Sequence, residues 1–173
     1  EAGKRLPFNS KFEIYNITDP LQVVEALGAA ESMDHIHTIA IDSLTFLMDQ
    51  FESLYIIGSP NGMSAWQDYQ QFFKKLMQDN VAKSTKRIVF TAHTQSILNE
   101  SDMVVETKIP IKGALKANGL EAYFSLVIST KKMTLKALEN YKSDLLNITE
   151  EEELLGFKHC FQTKLTKNTV NER

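Results

Sequence analysis

The chain has 173 residues, 43% hydrophobic and 24% charged, a balance suited to a single soluble domain that buries a core. No apolar run approaches the roughly 20 residues that span a bilayer, and the start EAGKRLPFNS lacks the apolar centre of a signal peptide, so no membrane partner and a cytoplasmic location are expected. The net charge of -3 argues against a surface that binds nucleic acid everywhere and leaves local loops for any such contact, while the lone Cys160 excludes an intrachain disulfide.

In chain order, KFEIYNI at 11–17 alternates β-forming residues and predicts a strand. TDPLQVVEALGAAES predicts a capped helix, with Asp19 as N-cap, Pro20 at the first helical position and Leu21, Val24, Ala26 and Leu27 on one apolar face. IHTIAID at 36–42 is too short for a helix and β-branched enough for a buried strand. From Ser43 the spacing becomes helical, placing Leu44, Leu47, Met48 and Phe51 together. SPNG at 59–62 predicts a turn. The following SAWQDYQQFFKKLMQDNVAKS predicts a long amphipathic helix with Trp66, Tyr69, Phe73, Leu76 and Met77 in one stripe, a core or subunit-interface face before a base-stacking one.

RIVFTAH at 87–93 reads as another buried strand. Residues 94–119 combine polar stretches, the β-rich MVVETKIPI and two glycines, which predicts a long functional loop or a hairpin. GLEAYFSLVISTKK reads as a short helix leading into a buried strand, LENYKSDLLNITEEEELLG as helical or irregular, and FKHCFQTKL as a final strand. Strands alternating with helices over connections long enough for crossovers predict an α/β fold with a mostly parallel sheet flanked by helices.

The candidate chemistry begins at Asp42. In open α/β sheets the ligand lies beyond the carboxyl ends of the strands, and an apolar strand closing on Asp is the Walker B pattern, in which the carboxylate holds the magnesium of a bound nucleotide. The plainer alternative is that Asp42 only N-caps the helix behind it. RIVFTAH likewise runs into His93, which could hydrogen-bond a terminal phosphate if the two strands are neighbours or serve as a structural histidine. Lys108, Lys112 and Lys116 give the long loop a positive character suited to phosphate, or are ordinary surface lysines. His35 and His37 form an H-x-H with no further ligand cluster, and His159 and Cys160 point to opposite faces of a strand. TEEEELL at 149–155 fits a solvated helix start favoured by the helix dipole.

The succession TIAIDSLTFL, long helix, RIVFTAHTQ, loop, GLEAYFSLVISTKK and FQTKLTKNTVNER resembles the RecA-like P-loop ATPase core, most closely the compact phage-encoded recombination ATPases, over most of the chain from residue 11. The resemblance implies a RecA-like sheet in a single domain over 1–173, ATP and Mg2+ as cofactors, and single-stranded DNA as partner. It also implies assembly into a ring or filament and, if phage-encoded, residence in the host cytoplasm. It places Asp42 on the metal with Ser43 at the nucleotide, His93 on the γ-phosphate, the DNA-binding loop over roughly 95–119, and Lys167 of TKN on the nucleotide of a neighbouring subunit.

The pattern breaks at the phosphate loop. G-x-x-x-x-G-K-[ST] occurs nowhere in the chain, and Gly3-Lys4 is followed by Arg5 and Pro7, with no preceding strand. The expectation is therefore an N-terminally incomplete core whose P-loop unit lies upstream, with Glu1 at the position of the residue that activates water. On that reading the 173 residues alone are inactive as an ATPase. The rival expectation is a non-catalytic α/β interaction module that kept the fold, and a third is a P-loop motor of another process such as helicase loading or packaging.

Overall fold

The computed structural model describes residues 12–101, 103–141 and 143–164. These form a mixed α/β structure whose contacts cluster into two units, one comprising the described residues up to Gln95 with Lys108–Tyr123, the other Ser96–Thr107 with the described residues from Phe124 onward. Strands pair only two by two in three small sheets, so among the described residues the parallel component of the expected sheet is a single pair.

The first unit is built on helices. Asp19 opens α1 (Gln22–Glu31) through a turn, accepting the Leu21 amide on Oδ1 at 2.8 Å and the Gln22 amide on its carbonyl at 3.0 Å. Because the turn occupies Pro20 and Leu21, the buried face is Pro20, Val23 and Leu27, while the expected Leu21 and Val24 are exposed. α2 (Leu44–Phe51) buries Leu44, Leu47, Met48 and Phe51, the face its spacing predicts, and continues into a π-turn at Glu52–Ile56. α3 (Gly62–Lys75) starts at Asn61, whose side chain accepts the Ser64 amide, and continues into a second π-turn at Leu76–Val81. Its buried stripe differs from the expected one, since Ala65 and Phe72 are buried beside Tyr69, Phe73, Leu76 and Met77 while the expected Trp66 is half-buried. Phe51 joins the two helices, stacking on Phe72 at 4.8 Å and meeting Tyr69 edge-on at 6.0 Å.

β1 (Thr38–Ile41) and β2 (Arg87–Phe90) run parallel in the register Thr38↔Arg87 to Ile41↔Phe90. Neither is buried on both sides as expected. Ile39, Ile41, Ile88 and Phe90 are half-buried on one face, and Thr38, Ala40, Arg87 and Val89 are exposed on the other. Residues 12–17 form no strand despite their alternation, and Phe12, Ile14 and Tyr15 are exposed. An extended segment is stabilised by cross-strand partners, and none pairs with this one among the described residues.

Residues 95–108 resolve the expected loop or hairpin in favour of a hairpin. β3 (Gln95–Asn99) and β4 (Val104–Lys108) are hydrogen-bonded neighbours joined over a connection that only an antiparallel pair allows. Chain 109–123 then packs within the first unit, with Ile111, Leu115 and Leu120 buried, through α4 (Leu115–Asn118) and a 3-10 turn at Leu120–Tyr123. Gly113 has φ +64, and a Cβ there would lie 3.3 Å from Trp66 Cε3.

In the second unit the expected buried strand in FSLVISTKK instead forms on the polar part, as β5 (Ser129–Thr134), with Ser129, Lys131 and Met133 half-buried and Thr130, Lys132 and Thr134 exposed. Its antiparallel partner β6 (Phe157–Gln162) sets this register, closing on Thr134↔Phe157 with the Leu135 amide bonded to Gly156 O at 3.1 Å. Between them lie α5 (Leu135–Leu138) and α6 (Glu150–Leu155). The latter is opened by a capping box between Thr149 and Glu152 and ended by left-handed Gly156 at φ 73°.

Candidate functional site

The parallel pair brings the two predicted strand ends together. Since Ile41 is paired with Phe90, the residues that follow, Asp42 and Thr91, are level, and the Thr91 hydroxyl donates to Asp42 Oδ1 at 2.6 Å. The Thr91 amide donates to Ile41 O at 3.1 Å, and Thr91 O accepts the Leu44 amide at 2.9 Å, so the first turn of α2, which follows β1 in the chain, is tied to the residue after β2. The Asp42–Ser43 peptide is cis.

The geometry removes the capping role from Asp42. Ser43 is the N-cap of α2, buried, with its Oγ accepting the Phe46 amide at 3.4 Å, so Asp42 is not needed as a cap. Its carboxylate is exposed, and among the described residues Thr91 is the group that bonds it. Ser43 adjoins the site with its hydroxyl engaged in capping. His93 comes to the same end of the pair: its amide donates to Thr45 Oγ1 at 3.0 Å, and its ring meets Phe46 edge-on at 5.2 Å. The result is a carboxylate, the hydroxyls of Thr45 and Thr91 and an imidazole at the carboxyl end of a parallel strand pair.

Thr45 and Thr91 were missed in the sequence. A signal existed, since TIAID and RIVFT match end to end, and parallel pairing in that alignment sets Thr91 opposite Asp42.

Oxygen donors suit a hard cation, and magnesium at a nucleotide takes one or two carboxylates with phosphate oxygens and water filling the rest. Asp42, steadied by Thr91, fits that role. An all-protein cage is not on offer, because the described residues contain no group of three or more His, Cys, Asp or Glu able to hold a metal. The triphosphate is a different matter, since the backbone cradle of a phosphate loop has no counterpart in the sequence.

The lysines of the long segment do not share one environment. All three are exposed, Lys108 at the end of β4 and Lys116 on α4, and Lys108 is also engaged in an interaction of its own. Lys112 is engaged: its ammonium lies 2.6 Å from the Glu52 carboxylate, a bond that raises its pKa, and its backbone is hydrogen-bonded to Tyr69, whose phenol burial pushes up to about 12. The hairpin sequence is itself acidic, with Glu100, Asp102 and Glu106 against Lys108. Glu1 and Lys167 lie outside the described residues. His35 bonds Glu13 at 2.7 Å ahead of β1. A concavity of about 240 Å3 lined by Leu21, Phe51, Tyr55, Asn61, Ser64 and Asp68 lies elsewhere in the first unit, and its Tyr55 and Asn61 are already bonded to Asp19 and Ser64.

Comparison with protein-family models, curated proteins and solved structures finds no match to this chain. None of the described helices is long and apolar enough to cross a membrane.

Proposed function

We propose that Asp42, Thr45, Thr91 and His93 form the magnesium and terminal-phosphate end of a nucleotide site, in a RecA-like ATPase core of the phage recombination type that acts on single-stranded DNA. The observation that carries the reading is the Thr91–Asp42 bond at the level ends of two parallel strands, with α2 capped by Ser43 and not by Asp42. In this reading β1 and β2 belong to a mostly parallel RecA-like sheet, and Asp42 holds Mg2+, directly or through water, in the orientation Thr91 imposes. When bound, the ion neutralises phosphate charge. His93 donates a hydrogen bond to a phosphate oxygen, and Lys108 and Lys116 meet the DNA backbone. Assembly into a ring or filament, with Lys167 acting across the interface, completes the proposal.

The 173 residues alone should not hydrolyse ATP and should bind it only weakly. A paramagnetic probe suits weak binding: Mn2+ with ATP should broaden the amide resonances of residues 42–45 and 91–93, and Asp42→Asn should abolish the effect. Broadening that is absent, or unchanged in the variant, removes the metal from Asp42. A second reading, a non-catalytic α/β interaction module, is favoured by one observation, the lack of any G-x-x-x-x-G-K-[ST] in the sequence. The same experiment, with no response at either strand end, supports it.

A further inference from the structure

We infer that one face of the β5–β6 ladder is a stacking platform for single-stranded nucleic acid, separate from the strand ends at Asp42. Side chains alternate across a strand, and directly opposed residues share a face. The register Thr130↔Phe161, Lys132↔His159 and Thr134↔Phe157 therefore gathers three rings, one ammonium and two hydroxyls on one side of the sheet. Apart from half-buried Phe157 these residues are exposed, and Phe161, one pair in from the Ser129–Gln162 end of the ladder, is 77% exposed.

The arrangement of this face has the parts such a ligand needs. The Lys132 ammonium sits 3.7 Å from the centre of the Phe157 ring, and the His159 ring meets Phe157 edge-on at 5.6 Å. Phe157 is thus already satisfied within the protein, while Phe161, two residues beyond His159, presents its ring to solvent. Residues i and i+2 of a strand are about 6.7 Å apart. That is roughly twice the about 3.4 Å rise of a stacked nucleic-acid strand, so successive bases match alternate rings only when the strand is drawn out and its bases are splayed.

Charge points the same way. The two strands contain Lys131, Lys132 and Lys158 and no carboxylate, and Lys132 is the lysine on the aromatic face. Lys158, on the opposite face, is bound to Glu152 at 2.5 Å. A polyanion with π-faces complements Lys132 beside exposed rings better than it complements the acidic 95–108 hairpin. Base–aromatic stacking tolerates any sequence, so the platform should show little base preference.

The proposal shares the nucleic-acid partner of the reading above and uses none of its residues. The test is binding of labelled dT20 and rU20 to the full 173-residue chain, read by fluorescence anisotropy without nucleotide. Phe161→Ala should weaken binding about tenfold, the loss of one stacked base. Phe161→Trp should retain it and gain a ligand-dependent quench, and Lys132→Ala should reduce the salt slope by about 0.7, one phosphate contact. Binding of dT20 alone assigns DNA, and binding of rU20 as well assigns single strands of either sugar. Affinity indifferent to Phe161→Ala overturns the platform. So does an absence of binding combined with concentration-dependent self-association that Phe161→Ala abolishes, which would assign the face to a second copy of the chain. Failure of Mn2+ and ATP to reach Asp42 overturns the nucleotide reading alone, because this measurement uses no nucleotide.

Discussion

In the first unit Phe73 and Leu76 are wholly buried and Leu44 is 1% exposed, whereas in the second Leu145 and Leu154 are 92% and 88% exposed and Leu138 is the one large apolar side chain buried among the described residues. The contrast follows from the elements. A helix with a 3.6-residue period gathers its apolar side chains onto one stripe, and α2 and α3 each supply the stripe the other needs. A two-stranded sheet has two faces and two edges, and β5–β6 is too small to bury either face by itself. Local bonds do much of the work in the second unit: the ladder, the Thr134 cap on α5, the Thr149–Glu152 box and the Lys158–Glu152 pair.

The largest effect expected is therefore on the first core. Phe73→Ala removes a ring with no solvent exposure that meets Tyr123 edge-on at 5.1 Å, and should cost about 3–5 kcal/mol in urea unfolding. Phe161→Ala, the same chemical change at a solvated site, should stay within about 0.5 kcal/mol. Similar losses at the two positions would mean that Phe161 is covered in solution and that the contrast between the units is smaller than the exposures imply.

An intermediate effect is expected at a cap in the second unit. Thr149 accepts the Glu152 amide at 3.3 Å while the Glu152 carboxylate accepts the Thr149 amide at 2.9 Å. Thr149→Ala should cost about 1 kcal/mol, expressed as faster amide exchange over α6 with α3 unaffected. Protection lost from α3 as well would show that the two units unfold as one.

The same contrast separates what was legible in the sequence from what was not. The face of α2, the run from Tyr69 on α3 to Met77 in the π-turn behind it, the acidic start of α6 and the last strand could all be read, because each depends on residues within a turn or two of one another. The 11–17 strand and the position of β5 could not. Alternation reports a tendency to extend, and the partner that turns tendency into structure lies tens of residues away. At the candidate site Asp42 and His93 were visible as polar ends of apolar runs. Thr91 became visible only through the β1–β2 register, and the engagement of Lys112 only once Glu52 was beside it.

The smallest effect expected compares the carboxylate clamps of the two units. In the first, Glu31 at the end of α1 accepts the Ser84 hydroxyl at 2.6 Å, the Thr85 amide at 2.8 Å and the Thr85 hydroxyl, which together hold its pKa down at about 2 against an ordinary 4.5. In the second, hydrogen bonds from Lys158 and the Thr149 amide lower Glu152. Both groups bind a proton less readily folded than unfolded, so each contributes stability above the unfolded value that is lost as pH falls. For Glu31 the window runs from about 4.5 down to about 2. Ser84 and Thr85 lead directly into β2, so this clamp also helps fix the strand whose far end sets Thr91 against Asp42. Glu31→Gln should lower the thermal midpoint slightly at pH 7, and its gap from the parent protein should narrow steadily between pH 4.5 and pH 2 as the parent loses the ionised carboxylate. Glu152→Gln should behave in the same sense, with the loss confined to the exchange rates of α6 and β6. A gap for Glu31→Gln that stays constant from pH 7 to pH 2 would mean that the clamp acts through shape alone, and that charge does not distinguish the anchoring of the first unit from that of the second.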